Sequence, residues 1–243
     1  MAAAVQEIAG FTVQFHEVIP STNTLALECR AHRTGFVARQ QTQGRGRRGN
    51  SWVSRPDLGL YLSVCLEGQS GGLTMAAALA VRDALAGHVP VTVKWPNDLL
   101  CGGQKLCGIL VEHRQGWNAL GIGINLNHGA EAFPDTLRLK ATSLLLQTGR
   151  DWTAEEVLVP VLEQLDRWLA RLAGDFDAVH GEWVRACGLV GRVVQREGIS
   201  GRVEHIDASG NLVVRTHAGT VLLPSTDAEY VACETVGALS CSS

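Results

Sequence analysis

The segment that most constrains this chain is Gln41-Thr42-Gln43-Gly44-Arg45-Gly46-Arg47-Arg48-Gly49-Asn50-Ser51-Trp52. Glycines at this density exclude a regular helix or strand, so the run is a loop. Their freedom lets the backbone approach a ligand closely, and peptide N–H groups and guanidinium forks then converge on phosphate or carboxylate oxygens. Taken alone, the run reads equally well as a disordered basic arm or a nonspecific RNA contact. Its place between strand-like stretches, with no further basic tract around it, argues for a built anion site. No Gly-Lys-Ser/Thr follows, so it is not a Walker A loop.

A second segment supplies the complementary chemistry: Lys94-Trp95-Pro96-Asn97-Asp98, then Gln104-Lys105-Leu106-Cys107-Gly108-Ile109-Leu110-Val111-Glu112. Pro96 ends a strand and turns the chain, which gathers polar side chains at the strand's end. A Lys and an Asp in that position are by themselves most often a surface ion pair. Lys105, just ahead of an apolar strand, changes the balance. An ammonium held against phosphate and carboxylate oxygens neutralises the charge that builds as they approach. The chain has three lysines (Lys94, Lys105, Lys140) against eighteen arginines, and two of the three fall in this motif. Together the two segments describe a site that activates a carboxylic acid with a nucleotide.

The remaining bounds are permissive. A chain of 243 residues buries a sizeable core, as one large domain or a medium one with a small partner. A net charge of −3 gives no general attraction to nucleic acid or anionic membrane. No apolar run reaches the length of a membrane span, and residues 1–7 lack the features of a signal peptide. Seven cysteines without a CxxC pair suit a reduced, cytoplasmic protein. The eight histidines form no metal-ligand spacing, so no structural metal is assigned.

Periodicity organises the chain as α/β. Strands are expected at Phe11–Phe15, Gly35–Arg39, Leu60–Leu66 and Val91–Lys94, with a hairpin of Cys107–His113 and Trp117–Asn125 around Gln115-Gly116. Ser21-Thr22-Asn23 offers N-cap side chains for a first helix, and alanine-rich Leu73–Leu85 is a buried helix closed at Gly87. Thr153-Ala154-Glu155-Glu156 is a capping box opening a helix to about Leu172, with Pro160 kinking it or marking a late start. Another helix covers Phe176–Ala186. From Gly191 to Val231 short β-rich runs alternate with turns, which describes a small all-β module, a barrel by its texture. Gly121-Ile122-Gly123-Ile124-Asn125 places glycines on one strand face. They make room either for a flat ligand or for close helix packing.

In their order and spacing these motifs resemble the biotin protein ligases: Ser21-Thr22-Asn23, Gln41-Thr42, Gly44 to Gly49 with Trp52, Lys94 to Asp98, Lys105 to Leu110, and Gly121 to Asn125. Ala141-Thr142-Ser143-Leu144 and the β-rich tail look similar to later regions of the family. The likeness spans about residues 11–231, and six ordered motifs are far more specific than any one of them. It implies a mixed sheet with helices on one side, related to the class II aminoacyl-tRNA synthetase core, plus a C-terminal SH3-like barrel. The division expected is 1–187 catalytic, 188–236 barrel, 237–243 tail. Two departures stand out. The chain begins at the catalytic domain, without the helix-turn-helix some members use on DNA, so no specific DNA binding is expected. The barrel carries Ser225-Thr226-Asp227 where many relatives have Gly-Glu.

The resemblance further implies ATP and biotin as substrates, magnesium assistance, and a biotin carboxyl carrier domain of a carboxylase such as acetyl-CoA carboxylase as acceptor. Monomer and homodimer both stay open. By motif, Ser21, Thr22, Asn23 and Gln41 bind the ureido ring, and Gly108 and Gly123 line the slot. Arg45, Gly46, Arg47 and Lys105 hold the carboxylate–phosphate junction. Arg48, Trp52 and Asn125 meet the nucleotide, and Asp98 orients or deprotonates the acceptor lysine. A lipoate or octanoate ligase of the same fold would want a longer apolar tunnel and lacks this pairing of motifs. A nucleic-acid-binding module would explain the arginines but neither Ser21-Thr22-Asn23 nor Lys105.

Overall fold

A computed structural model describes residues 4–68, 70–133, 139–196, 198–225 and 232–233. The chain divides into two compact units, Met1–Ala186 and Cys187–Ser243.

The first unit contains β1 (Ala4–Ile8), β2 (Phe11–Ile19), α1 (Thr22–Cys29), β3 (Thr34–Gln41), β4 (Gly59–Glu67), α2 (Leu73–Leu85), β5 (Val91–Lys94), β6 (Asp98–Cys101), β7 (Gln104–Arg114), β8 (Trp117–Asn125), α3 (Leu144–Thr148), α4 (Ala154–Gly174) and α5 (Phe176–Cys187). Its eight strands form one mixed sheet in the order β1-β2-β3-β4-β8-β7-β6-β5. Among the described strands only β2 and β3 pair in parallel, because the chain crosses between them through α1. Their neighbours run antiparallel, and β7 and β8 form the expected hairpin. Leu60 to Leu66 of β4 are buried throughout, as a central strand covered on both faces must be.

Register decides which side chains share a face. Lys94 pairs with Asp98, Asp98 with Gly108, Gly108 with Gly123, Gly123 with Tyr61, and Tyr61 with Ala38. The next row on the same face is Leu110, Gly121, Ser63 and Phe36, and the one after it begins with Glu112 and Ala119. Helix α1 lies on this face, with Ala26 in a cluster of Phe36, Cys65 and Ala119. The two long helices α2 and α4 pack against each other, and α2 also contacts β5 to β8.

Several local expectations need correction. β1 and β6 were not foreseen. β1 is a short, largely exposed edge strand, and β6 hides behind the turn at Pro96, where a strand was read as ending. The capping box at Thr153 and Glu156 forms, and α4 runs from Ala154 through Pro160 to Gly174, so the proline does not delay its start. Pro160 deprives the Glu156 carbonyl of one helical donor, a loss that twenty-one residues of helix absorb.

The second unit holds β9 (Val193–Arg196), β10 (Ile199–Ile206), β11 (Leu212–Thr216), β12 (Gly219–Leu223) and β13 (Ala232–Cys233). They pair antiparallel in the order β12-β11-β10-β9-β13. Val194, Val203, Ile206, Leu212, Val214 and Leu223 form its buried core, consistent with the SH3-like module expected there. Thr226, Asp227 and the tail 237–243 lie outside the described residues.

Candidate active site

The site is built on the face that carries Gly108, Gly121 and Gly123. Gly108 and Gly123 face each other across β7 and β8, and the Trp52 ring lies on both. A Cβ at Gly123 would stand 2.6 Å from Trp52 Cε2, and one at Gly108 2.8 Å from Trp52 Cζ3. Only glycine permits that approach. The strand–helix packing alternative for these glycines holds at one end alone, where a Cβ on Gly121 would collide with the α1 residue Asn23. Trp52 Nε1 is buried with no partner. A buried indole donor without an acceptor marks a place where a polar ligand atom would be welcome.

At one end of this floor the start of α1 supplies a polar cluster. Ser21 occupies the N-cap position but makes no side-chain cap, so the residues read as caps serve another purpose. The Thr22 main-chain N–H donates to Gln41 Oε1 at 2.8 Å, and Thr22 Oγ1 lies 3.0 Å from the same oxygen. Gln41 Nε2 donates to Ser54 Oγ at 2.9 Å. Ser63 Oγ lies 2.6 Å from Thr22 Oγ1 and 2.5 Å from Asn23 Oδ1. Ser21, Thr22, Asn23, Ser54 and Ser63 are all buried. A compact head group with its own donors and acceptors would exchange bonds with this network.

At the other end sits a cationic cluster. Lys105 Nζ is 2.6 Å from Asp98 Oδ1, and Lys94 Nζ is 3.7 Å from Asp98 Oδ2. Lys105 Nζ also stands 5.4 Å from the centroid of the Trp52 ring, which brings it over the floor. The start of β7 is held by Lys105 N–H donating to the Lys140 carbonyl and Thr142 N–H to the Lys105 carbonyl. Burial lowers the Lys94 pKa, opposed by Asp98 and aided by the positive charge of Lys105 and Arg47.

Between the ends, the Gly/Arg loop folds over the sheet. Trp52 N–H donates to the Gly44 carbonyl and Gly46 N–H to the Asn50 carbonyl, closing a narrow hairpin. Arg47 Nη1 donates to Asn97 Oδ1 at 3.0 Å, and Asn97 in turn brackets Ile109 of β7 by its amide and its carbonyl. Arg45 Nη2 reaches Glu112 Oε2 at 2.9 Å. A cavity of about 480 Å³ opens here, lined by residues 43–51 with Leu110 and Glu112.

The model of the "Biotin/lipoate A/B protein ligase family" matches residues 15–128. A biotin--[acetyl-CoA-carboxylase] ligase of Paracoccus denitrificans is 34% identical over 230 residues, covering 85% of this chain and 95% of that protein. This chain belongs to the biotin protein ligases. The bifunctional ligase/repressor BirA of Bacillus subtilis is 30% identical over 92% of this chain and 75% of that protein. Among solved structures, a biotin protein ligase from Aquifex aeolicus in complex with biotin and ATP superposes with a TM-score of 0.77 at 28% identity, covering 91% of this chain and 98% of that one.

Against the ligase motifs, the structure brings Thr22, Asn23, Gln41, Arg45, Trp52, Lys105, Gly108 and Gly123 around one floor and sets Asp98 beside Lys105. Trp52, expected at the nucleotide, rests on the slot glycines themselves. Asn125 is buried, its amide donating to the Thr142 carbonyl at 2.9 Å. Arg48 is exposed at the rim of the cavity, in a left-handed conformation at φ 57°. The sequence reading passed over Ser54, Ser63, Asn97 and Glu112. Ser63 was detectable as the one polar residue inside Leu60–Leu66. Glu112 was detectable as a charge in phase with Gly108 and Leu110.

Proposed function

We propose that this protein activates biotin with ATP and transfers it to a lysine of a biotin carboxyl carrier domain. In the first step a biotin carboxylate oxygen attacks the α-phosphorus of ATP, the bond to the β-phosphate bridging oxygen breaks, and pyrophosphate leaves. In the second, the acceptor lysine nitrogen attacks the acyl carbon, the acyl–oxygen bond breaks, AMP leaves, and the amine gives up a proton. The observation that carries this reading is the polarity of the floor. A strip of glycines, covered by the Trp52 ring at Gly108 and Gly123, lies between the hydrogen-bonding cluster of Thr22, Gln41 and Ser63 and the ammonium of Lys105. Biotin has that form: a flat ureido head, an apolar chain and a carboxylate.

Roles follow from position. Ser21, Thr22, Asn23 and Gln41 bind the ureido group, and Gly108 and Gly123 form the floor beneath it. Lys105, Arg45, Arg47 and the Gly46 main chain neutralise oxygens where carboxylate and α-phosphate meet. Trp52, Arg48 and Asn125 serve the nucleotide side, with Trp52 lifting from the floor to admit ligand. Asp98, flanked by Lys105 and Lys94, receives the acceptor lysine, orients it and takes a proton from its ammonium, so that the neutral amine attacks. Among the described residues no group of three or more His, Cys, Asp or Glu is arranged to hold a metal ion. Magnesium, when bound with ATP, would add positive charge beside that of Lys105, Arg45 and Arg47 where the phosphates react. With a net charge of −3, sequence-specific DNA binding is not part of this activity.

The test is transfer itself. Incubated with biotin, ATP and a purified biotin carboxyl carrier domain, the protein is expected to place one amide-linked biotin on a single lysine, read by mass spectrometry. An unmodified carrier, with the same carrier modified by another biotin ligase, would sink the reading.

A further inference from the structure

Glu112 lies outside every role assigned above, yet it touches both halves of the site. It stands on β7, two residues beyond Leu110 and four beyond Gly108, on the face that carries the floor. One oxygen, Oε2, accepts from Asn23 Nδ2 at 2.7 Å and from Arg45 Nη2 at 2.9 Å. These two donors are remote in sequence. Asn23 belongs to the first turn of α1, and Arg45 to the Gly/Arg loop. The Asn23 amide is oriented at its other end by Ser63, 2.5 Å from Oδ1, and its Nδ2 also faces the Leu110 carbonyl at 3.4 Å.

We infer that Glu112 is a positioning residue: it fixes the Gly/Arg loop, through Arg45, in register with the Asn23 end of the slot. This rests on the ligase reading and deepens it by giving the loop a mechanical link to the ureido end. A carboxylate serves this purpose better than an amide. Its oxygen is acceptor-only and carries the charge that strengthens both bonds, whereas glutamine halves the acceptor capacity and drops the charge. The side chains of Arg45 and Glu112 are 40% and 30% exposed, so water weakens the pair. The link therefore biases the loop and contributes little to global stability. Losing it lowers the fraction of protein in the binding-competent loop geometry, which raises the apparent KM for biotin by the same factor.

The experiment compares wild type, Glu112→Gln, Arg45→Gln and the double variant, without ligand, under limited trypsin digestion read at Arg47 and Arg48, the loop sites that all four proteins keep. Glu112→Gln is expected to speed cleavage in this loop up to about fivefold, the range a partly exposed charged contact supports. Cleavage elsewhere should be unchanged. In biotin-dependent ATP–pyrophosphate exchange the effect should fall on KM for biotin more than on kcat, a split that general destabilisation would not produce. The double variant should be no worse than the worse single one, since both changes cut the same link. Glu112→Asp keeps the charge but falls short by one methylene; it should be intermediate, and it serves as the second variant if Glu112→Gln folds poorly. Unchanged loop cleavage, or effects that multiply in the double variant, would overturn the inference. If wild type shows no biotin-dependent exchange, the ligase reading fails, and the digestion still decides the tether.

Discussion

Removing the Lys105 ammonium separates catalysis from stability. In the structure its Nζ lies 2.6 Å from Asp98 Oδ1, with the two side chains 28% and 15% exposed. A partly screened pair of this kind contributes on the order of 1 kcal/mol to folding. For a chain of this size that moves Tm by about 2–4 °C. The catalytic cost is far larger. A charge aimed at oxygens that become more negative in the transition state is worth about 10²–10³ in rate, or roughly 3–4 kcal/mol. Lys94 does not compensate: it sits two strands from β7, 3.7 Å from the other Asp98 oxygen, and burial lowers its pKa. Lys105→Ala should therefore lower biotin-dependent pyrophosphate exchange by two to three orders of magnitude while the melt shifts by a few degrees (both ranges as above). Exchange within about tenfold of wild type, with Tm intact, would refute the role given to Lys105.

Other consequences are equally direct. Gly123→Val puts a branched side chain where a Cβ alone would stand 2.6 Å from Trp52, so calorimetry should show biotin binding weakened by about 1–3 kcal/mol. Arg47→Gly removes a side chain that donates to Asn97 and one charge-assisted contact to the adenylate, about 1.5–3 kcal/mol. The variant should still form adenylate but release it faster, so biotin should appear on bystander serum albumin; wild-type retention of the intermediate would exclude the role given to Arg47. His128 is buried, and desolvation holds its pKa below 6.5; His16 is shifted the same way. The unfolded chain then binds more protons than the folded one just below that value. Stability is full above pH 6.5 and declines as pH falls through it. A series of melts between about pH 7.5 and 5.5 should show that decline, and His128→Gln should flatten it.

What was legible in the sequence follows from how local each signal is. α2 and β5 begin and end where alanine content, Gly87 and Pro96 place them, and the β7–β8 hairpin turns at Gln115-Gly116 as a short glycine-bearing link requires. The floor was half legible: alternating glycines in Gly121-Ile122-Gly123 signalled a bare strand face, but only sheet register sets Gly108 against Gly123. Ser63 escaped because its meaning lies in Thr22 and Asn23, some forty residues away in the chain. Glu112 escaped because a charge at the end of a strand ordinarily points to water, and its contact with Asn23 spans eighty-nine positions. The resting place of Trp52 on the glycine floor is likewise a tertiary fact, with no trace in the spacing of its loop.

The central claim is that the floor takes biotin and the Lys105 end joins its carboxylate to AMP. ATP–pyrophosphate exchange by the purified wild-type chain tests it most directly, with biotin in one arm and lipoate in the other. The account predicts exchange that depends on biotin and is not supported by lipoate, because the glycine floor ends in a compact hydrogen-bonding cluster fitted to a ureido head. Exchange with lipoate and none with biotin would contradict it.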